Sequence, residues 1–219
     1  MTKDAKPEIA LEARETSGAR LFSPSAARNR EAILEVFLAH MPQAGMVLEI
    51  GSGTGEHAVH IAAHLPELTW LPGDPDETSR ASISAWIAET GLANIAAPHA
   101  IDVTIADWAK AVSRPIDAIV SINMIHIAPF AAAEGLIAGA GEILREGGKL
   151  FLYGPFSRNG EHTAPSNAAF DASLKARDPS WGVRDLENDI VPLAEKAGLS
   201  LEDVVSMPAN NFSVIFARR

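Results

Sequence analysis

The 219-residue chain is 47% hydrophobic and free of repeats or low-complexity tracts, so one globular domain over 1–219 with a substantial core is expected. Its 28 acidic residues outnumber its 18 basic ones, and the net charge of -10 argues against a phosphate backbone as partner. With no cysteine it has no disulfide, thiolate metal site or cysteine nucleophile; with no apolar run near the roughly 18 residues that span a bilayer, a cytoplasmic protein without nucleic-acid or membrane partners is expected.

After a polar leader to about Ser25, residues 26–41 place Ile33, Leu34, Val36, Phe37 and Leu38 at helical spacing, and Pro42 with Gly45 ends the helix. Strand-like and helix-like segments then alternate: strand 46–50, helix 57–65, strand 68–71, helix 77–89, strand 95–101 and a short helix around 106–112. The pattern continues with strand 116–122, whose lack of a polar face suits a sheet centre, then helix 129–144 and strand 149–153 after the turn Glu146-Gly147-Gly148. This alternation predicts an α/β fold around a parallel sheet. From 154 to 185, Pro155, Gly160, Pro165, Pro179 and Gly182 loosen the pattern around one helix, 167–176, and an insertion of this length suits a lid or substrate wall. Helix 186–197 and an antiparallel hairpin, 199–206 with 212–217, close the sheet.

The chemistry concentrates at Val47-Leu48-Glu49-Ile50-Gly51-Ser52-Gly53-Thr54-Gly55-Glu56-His57, which reads as strand, tight turn and helix. Glycine there adopts positive φ and lets a ligand approach the backbone. A dinucleotide fingerprint needs a glycine or alanine where Glu56 stands, and a carboxylate is unfavourable beside a pyrophosphate. A phosphate loop needs a lysine, and residues 51–64 contain neither lysine nor arginine. S-adenosylmethionine carries a sulfonium and an ammonium without phosphate, so an acidic loop suits it. Asp74, about 20 residues past the loop, is placed to accept both ribose hydroxyls, whereas Asp76 suits a cap for the helix begun near Glu77.

These residues resemble the first motif of the class I S-adenosylmethionine-dependent methyltransferases. Further segments follow in family order: Asp74 after the second strand, Ala100-Ile101-Asp102-Val103-Thr104 after the third, 117–126 as the fourth motif, and 142–150 as the helix, turn and fifth strand. The chain is also similar, over almost its whole length, to the methyltransferase-like protein 26 family, through 22–30, Tyr153-Gly154-Pro155-Phe156, 180–185 and 207–211. The resemblance implies a Rossmann-like seven-stranded, mostly parallel sheet in the order 3-2-1-4-5-7-6, with helices on both faces and an antiparallel last strand. It implies S-adenosyl-L-methionine as cofactor, bound at Gly51, Ser52, Gly53 and Gly55, with Glu49 and His57 flanking them. Asp102 and Val103 fall where the adenine lies, Asn123 lies between methyl donor and acceptor, and Arg28 and Asn29 cover the cofactor. Asp102 also has a capping alternative, and Arg30 reads better as part of a solvated helix face.

The acceptor is expected to be a small molecule methylated at O, N or S, and a homodimer stays open. His126 is the candidate base, with a packed core histidine as the equal alternative. Asn123 and Tyr153 join it as catalytic candidates; Phe156, Trp181, Asn210 and Asn211 complete a candidate pocket. Glu56 reads as mostly structural. His57, His60 and His64 lack a metal motif, so no metal is expected. Two alternatives remain: a non-catalytic cofactor-binding partner, and a nicotinamide-dependent oxidoreductase, whose Tyr-x-x-x-Lys pair the one tyrosine, Tyr153, does not supply.

Overall fold

The computed structural model of the protein describes residues 14–112 and 115–219; the first thirteen residues of the expected leader lie outside them. A hairpin of β1 (Glu15–Ser17) and β2 (Arg20–Phe22), absent from the sequence-based reading, precedes α1 (Pro24–His40). Ser23 caps α1 by accepting from Ala26 N at 3.2 Å, Pro24 enters where no intrahelical N–H is needed, and Pro42 keeps Met41 out of the helical region.

The chain then alternates: β3 (Gly45–Ile50), α2 (Glu56–His64), β4 (Leu68–Gly73), α3 (Glu77–Thr90), β5 (Ile116–Ile122), α4 (Phe130–Ile143) and β6 (Leu144–Gly154). The insertion carries α5 (Pro165–Arg177), and α6 (Val191–Lys196), β7 (Leu199–Met207) and β8 (Asn211–Arg218) follow. The sheet order is β4-β3-β5-β6-β8-β7, with β8 antiparallel to both neighbours and β3 to β6 parallel.

This is the expected α/β architecture with two differences. The seventh strand, expected over 95–101, is reduced to two bridges on the outer edge of β4, Trp70 with Ile95 and Gly73 with His99. Pro98 has no N–H and interrupts a continuous ladder there. The single helix expected over 186–197 is instead a wide π turn, Leu186–Ile190, followed by α6, because Pro192 cannot donate back into the preceding turn.

Each sheet face has its own core. Leu48, Ile119, Leu150, Leu152 and Phe216 pack under α4 and α6, while Val47, Trp70, Val120, Phe151 and Ile215 pack under α1 and α2. Burial of β5 on both faces explains its unbroken apolar run. No helix among the described residues is long and apolar enough to cross a membrane.

Candidate active site

The glycine loop joins β3 to α2 at the C-terminal edge of the sheet, where open α/β folds bind ligands. Gly51 N and Ser52 N both donate to Gly73 O, at 2.8 and 3.1 Å, and Gly73 N donates to Ser52 Oγ at 3.1 Å. Ser52 is therefore a buried staple between loop and β4. Gly51 has φ +73°, and a Cβ there would lie 2.7 Å from Met124. Gly53 differs: its φ is +56°, yet the nearest atom to a Cβ would be Gly51 O at 4.0 Å. Among the described residues the loop thus turns bare backbone toward open space at Gly53.

Asp74 stands beside that face. Its Oδ2 accepts from Gly53 N and its Oδ1 from Asp76 N, both at 2.9 Å, so the carboxylate is oriented with lone pairs to spare. Burial raises its pKa; the two N–H donors oppose the shift. Asp76 caps α3 through Ser79 N at 2.7 Å, separating the two aspartates into the expected roles of edge carboxylate and cap.

A second polar group forms on the α1 face. Asn29 Oδ1 lies 2.8 Å from His57 Nε2, and Tyr153 is buried on the same face, where burial raises its pKa and the nearby Asn29 and Asn211 side chains oppose the shift. With the amide oxygen accepting, His57 carries its proton on Nε2. Burial, then the charges of His60 and Arg30, lower its pKa to about 4, so the ring is neutral at pH 7. Ser213, opposite Tyr153 in the β6–β8 register, is fully buried, and its Oγ has no hydrogen-bond partner among the described residues. Glu49 is buried on the same face, with Trp70 Nε1 donating to its Oε2 at 3.1 Å.

The sequence-predicted pocket is not assembled as one site. His126 and Phe156 lie on the opposite sheet face from Tyr153, stacked edge to face at 4.9 Å. His126 is 1% exposed, its Nδ1 accepts from Arg184 N at 3.3 Å, and a Cβ on Gly154 would lie 2.2 Å from its Nε2. Burial, reinforced by the Arg184 charge, lowers its pKa to about 3. Of the two readings of His126, this burial and packing match the core histidine. Trp181 is also buried, and Asn210 is exposed in the β7–β8 turn, donating to Ser166 Oγ at 3.2 Å.

Asp102 makes a local turn, accepting from Thr104 N and Oγ1 at 2.9 and 2.6 Å, rather than capping the helical turn Trp108–Ala111. Val103 is buried beside it. Asn123 follows β5 with φ +61°, its N–H donating to Tyr153 O at 2.8 Å. Arg28 is exposed and donates to Ser25 Oγ at 3.1 Å; Arg30, 43% exposed, pairs with Glu31.

Two contributors escaped the sequence reading. Ser82 on α3 donates to Thr54 O in the glycine loop at 2.8 Å, and Gly135 on α4 lets Val103 O approach so closely that a Cβ would lie 1.9 Å from it. Neither has a motif; a glycine in a helix interior was the one available signal. A cavity of about 230 Å³ lies at the opposite edge of the sheet, where its Arg145 pairs with Asp117, its Lys149 with Glu202 and its His40 with Asp203.

The family model described as protein of unknown function (DUF938) matches residues 20–218. The chain belongs to the DUF938 family. This DUF938 chain is similar in structure to an O-methyltransferase family protein from Burkholderia thailandensis, with TM-score 0.73, 16% identity, and 89% of this chain and 57% of that one covered. It is likewise similar to the S-adenosylmethionine-dependent methyltransferase SibL, with TM-score 0.69, 20% identity and coverage of 89% and 55%. For PigF with SAH the TM-score is 0.70, the identity 16% and the coverage 89% and 56%. The DUF938 chain spans little more than half the length of these proteins, and at such identities the likeness establishes the class I methyltransferase fold.

Proposed function

We propose that this DUF938 protein is a cytoplasmic S-adenosylmethionine-dependent methyltransferase acting on O, N or S of a small molecule, and a relative of the methyltransferase-like protein 26 family. The observation that carries the reading is the pairing of Asp74 with the open backbone at Gly53, at the end of a loop without a cationic side chain. A carboxylate already held by two N–H groups suits vicinal ribose hydroxyls, and an uncharged-to-acidic loop suits a cationic rather than a phosphorylated ligand.

S-adenosylmethionine, when bound, supplies a methyl group already activated on a sulfonium. The protein then needs to orient and desolvate more than to activate. Asp74 holds the ribose, Glu49 and Asn29 face the amino-acid end, and Asn123 stands at the end of β5 on the acceptor side. Asn29 and neutral His57 form a hydrogen-bonded pair next to the loop, with Tyr153 beside them. Proton removal from the acceptor is not assigned to His126. A second reading, cofactor binding without turnover, is favoured by the closure of the α1-side cluster, where Tyr153 is 3% exposed and Ser213 fully buried.

Calorimetric titration with S-adenosylmethionine, S-adenosylhomocysteine and NADH tests the proposal. A ligand at 100 times its dissociation constant stabilises the fold by about 2.7 kcal/mol, visible in a melt. Binding of both sulfur compounds, lost in Asp74→Ala, is the expected result; binding of NADH alone sinks it. Transfer of labelled methyl to a small-molecule panel separates an enzyme from a non-catalytic binder.

A further inference from the structure

Glu56 replaces the glycine or alanine of a dinucleotide fingerprint, and its side chain holds the N-terminal segment to the glycine loop. The residue is 5% exposed at the first position of α2, where the helix dipole favours a carboxylate. Its Oε2 accepts from Ser23 N at 2.6 Å and from Thr54 Oγ1 at 2.9 Å. Ser23 is the cap of α1; Thr54 lies between Gly53 and Gly55. One carboxylate oxygen therefore ties the start of α1 to the middle of the loop.

The tie is doubled. Ser82 Oγ accepts from Leu21 N and donates to Thr54 O, each at 2.8 Å, and Trp86 Nε1 donates to Leu21 O at 3.1 Å. Phe22 packs edge-on against Trp86 at 5.0 Å. The residue after Glu56, His57, reaches the same helix six residues beyond its cap, at Asn29. The side chains of Glu56 and His57 thus fix α1 at two points along its axis. Asp74, in contrast, is oriented by Gly53 N and Asp76 N, with neither bond involving 20–30.

We propose that Glu56 is a positioning residue that sets α1 over the loop, so that Asn29 grips the amino-acid half of S-adenosylmethionine while Asp74 holds the nucleoside half independently. The inference rests on the cofactor assignment above. It divides the site into two parts that one substitution can uncouple.

The test is calorimetry of wild type, Glu56→Ala, Glu56→Gln and Ser82→Ala with two probes: S-adenosylhomocysteine, and 5′-methylthioadenosine, which keeps the nucleoside and sulfur but lacks the amino-acid half. Glu56→Ala is expected to weaken S-adenosylhomocysteine about tenfold or more and 5′-methylthioadenosine by less than about twofold. Glu56→Gln, which keeps an acceptor oxygen, falls between, and Ser82→Ala shows the same selective pattern. Equal losses for both probes would mean general loop damage and overturn the proposal, as would unchanged S-adenosylhomocysteine affinity. If Glu56→Ala does not fold, the other two variants carry the comparison. A wild type that binds neither probe removes the cofactor assignment itself, and this inference with it.

Discussion

Trp70 Nε1 donates to the Glu49 carboxylate across 3.1 Å on the sheet face covered by α1 and α2. Burial pushes the Glu49 pKa up to about 7; the Trp70 and Ser52 hydrogen bonds oppose the shift, and the Asp74 charge adds to it. An acid whose pKa is raised on folding stabilises the fold below its unfolded value and loses that contribution as pH rises through the folded value. For Glu49 the window runs from 4.5 to about 7, and the full loss is on the order of 3 kcal/mol at 1.36 kcal/mol per unit. Glu49→Gln keeps an oxygen for Trp70 and removes the titration. Denaturant midpoints should show the variant gaining on wild type between pH 4.5 and about 7. A pH-independent difference would place the Glu49 titration elsewhere.

Gly51 and Gly53 should respond differently to alanine. Both have left-handed φ, which costs a residue with a Cβ about 1–2 kcal/mol. At Gly51 the new methyl also meets Met124, at 2.7 Å, whereas at Gly53 it meets open space. Gly51→Ala is expected to lower the melting temperature more than Gly53→Ala. Gly53→Ala should stay folded yet lose most of its affinity for S-adenosylhomocysteine, because its methyl occupies the ligand's approach. Wild-type affinity in that variant would show that the ligand comes from another side.

The elements legible in the sequence were those whose signal is local. The run Ile116–Ile122 has no polar face because both faces are buried, and the turn after β3 is marked by glycines because Gly51, Gly53 and Gly55 all take positive φ. Asp74 and Asp76 were separable because capping has a fixed spacing. The candidate pocket was less legible because alternation along β6 sends Tyr153 to one face and Gly154 to the other, and His126 covers the glycine. No spacing argument identifies the distant partner of Glu56: Ser23 is 33 residues away in sequence, and a backbone N–H leaves no mark in composition.

Gly135 should matter to the cofactor site without touching it. It lets α4 approach the 102–105 turn so closely that a Cβ would lie 1.9 Å from Val103 O, and Gly135 O accepts from Trp108 Nε1 at 3.0 Å. In Gly135→Ala the turn carrying Asp102 and Val103 must move away from the helix. The gain in helix propensity, about 1 kcal/mol, is outweighed by the clash. Melting temperature and S-adenosylhomocysteine affinity should both fall; an unchanged affinity would remove Asp102 and Val103 from the adenine side.

His126 should behave as a structural group. It accepts from Arg184 N, its carbonyl accepts from Gly182 N at 3.0 Å, and its ring packs on Phe156, so it fastens the end of the insertion to the turn after β5. His126→Ala leaves the Arg184 N–H without this acceptor and opens space in the core, a combination that costs about 2–3 kcal/mol. His126→Asn offers an amide oxygen near the Nδ1 position and should recover part of the loss. A histidine whose pKa is lowered on folding contributes stability above 6.5 and loses it as pH falls toward the folded value, here about 3. His126→Asn should therefore flatten the acid limb of the stability curve while leaving any pH dependence of methyl transfer between about pH 6 and about pH 8 unchanged. Loss of a kinetic limb near pH 6.5 in this variant would restore His126 as the base, because a ring held neutral by burial cannot produce that limb.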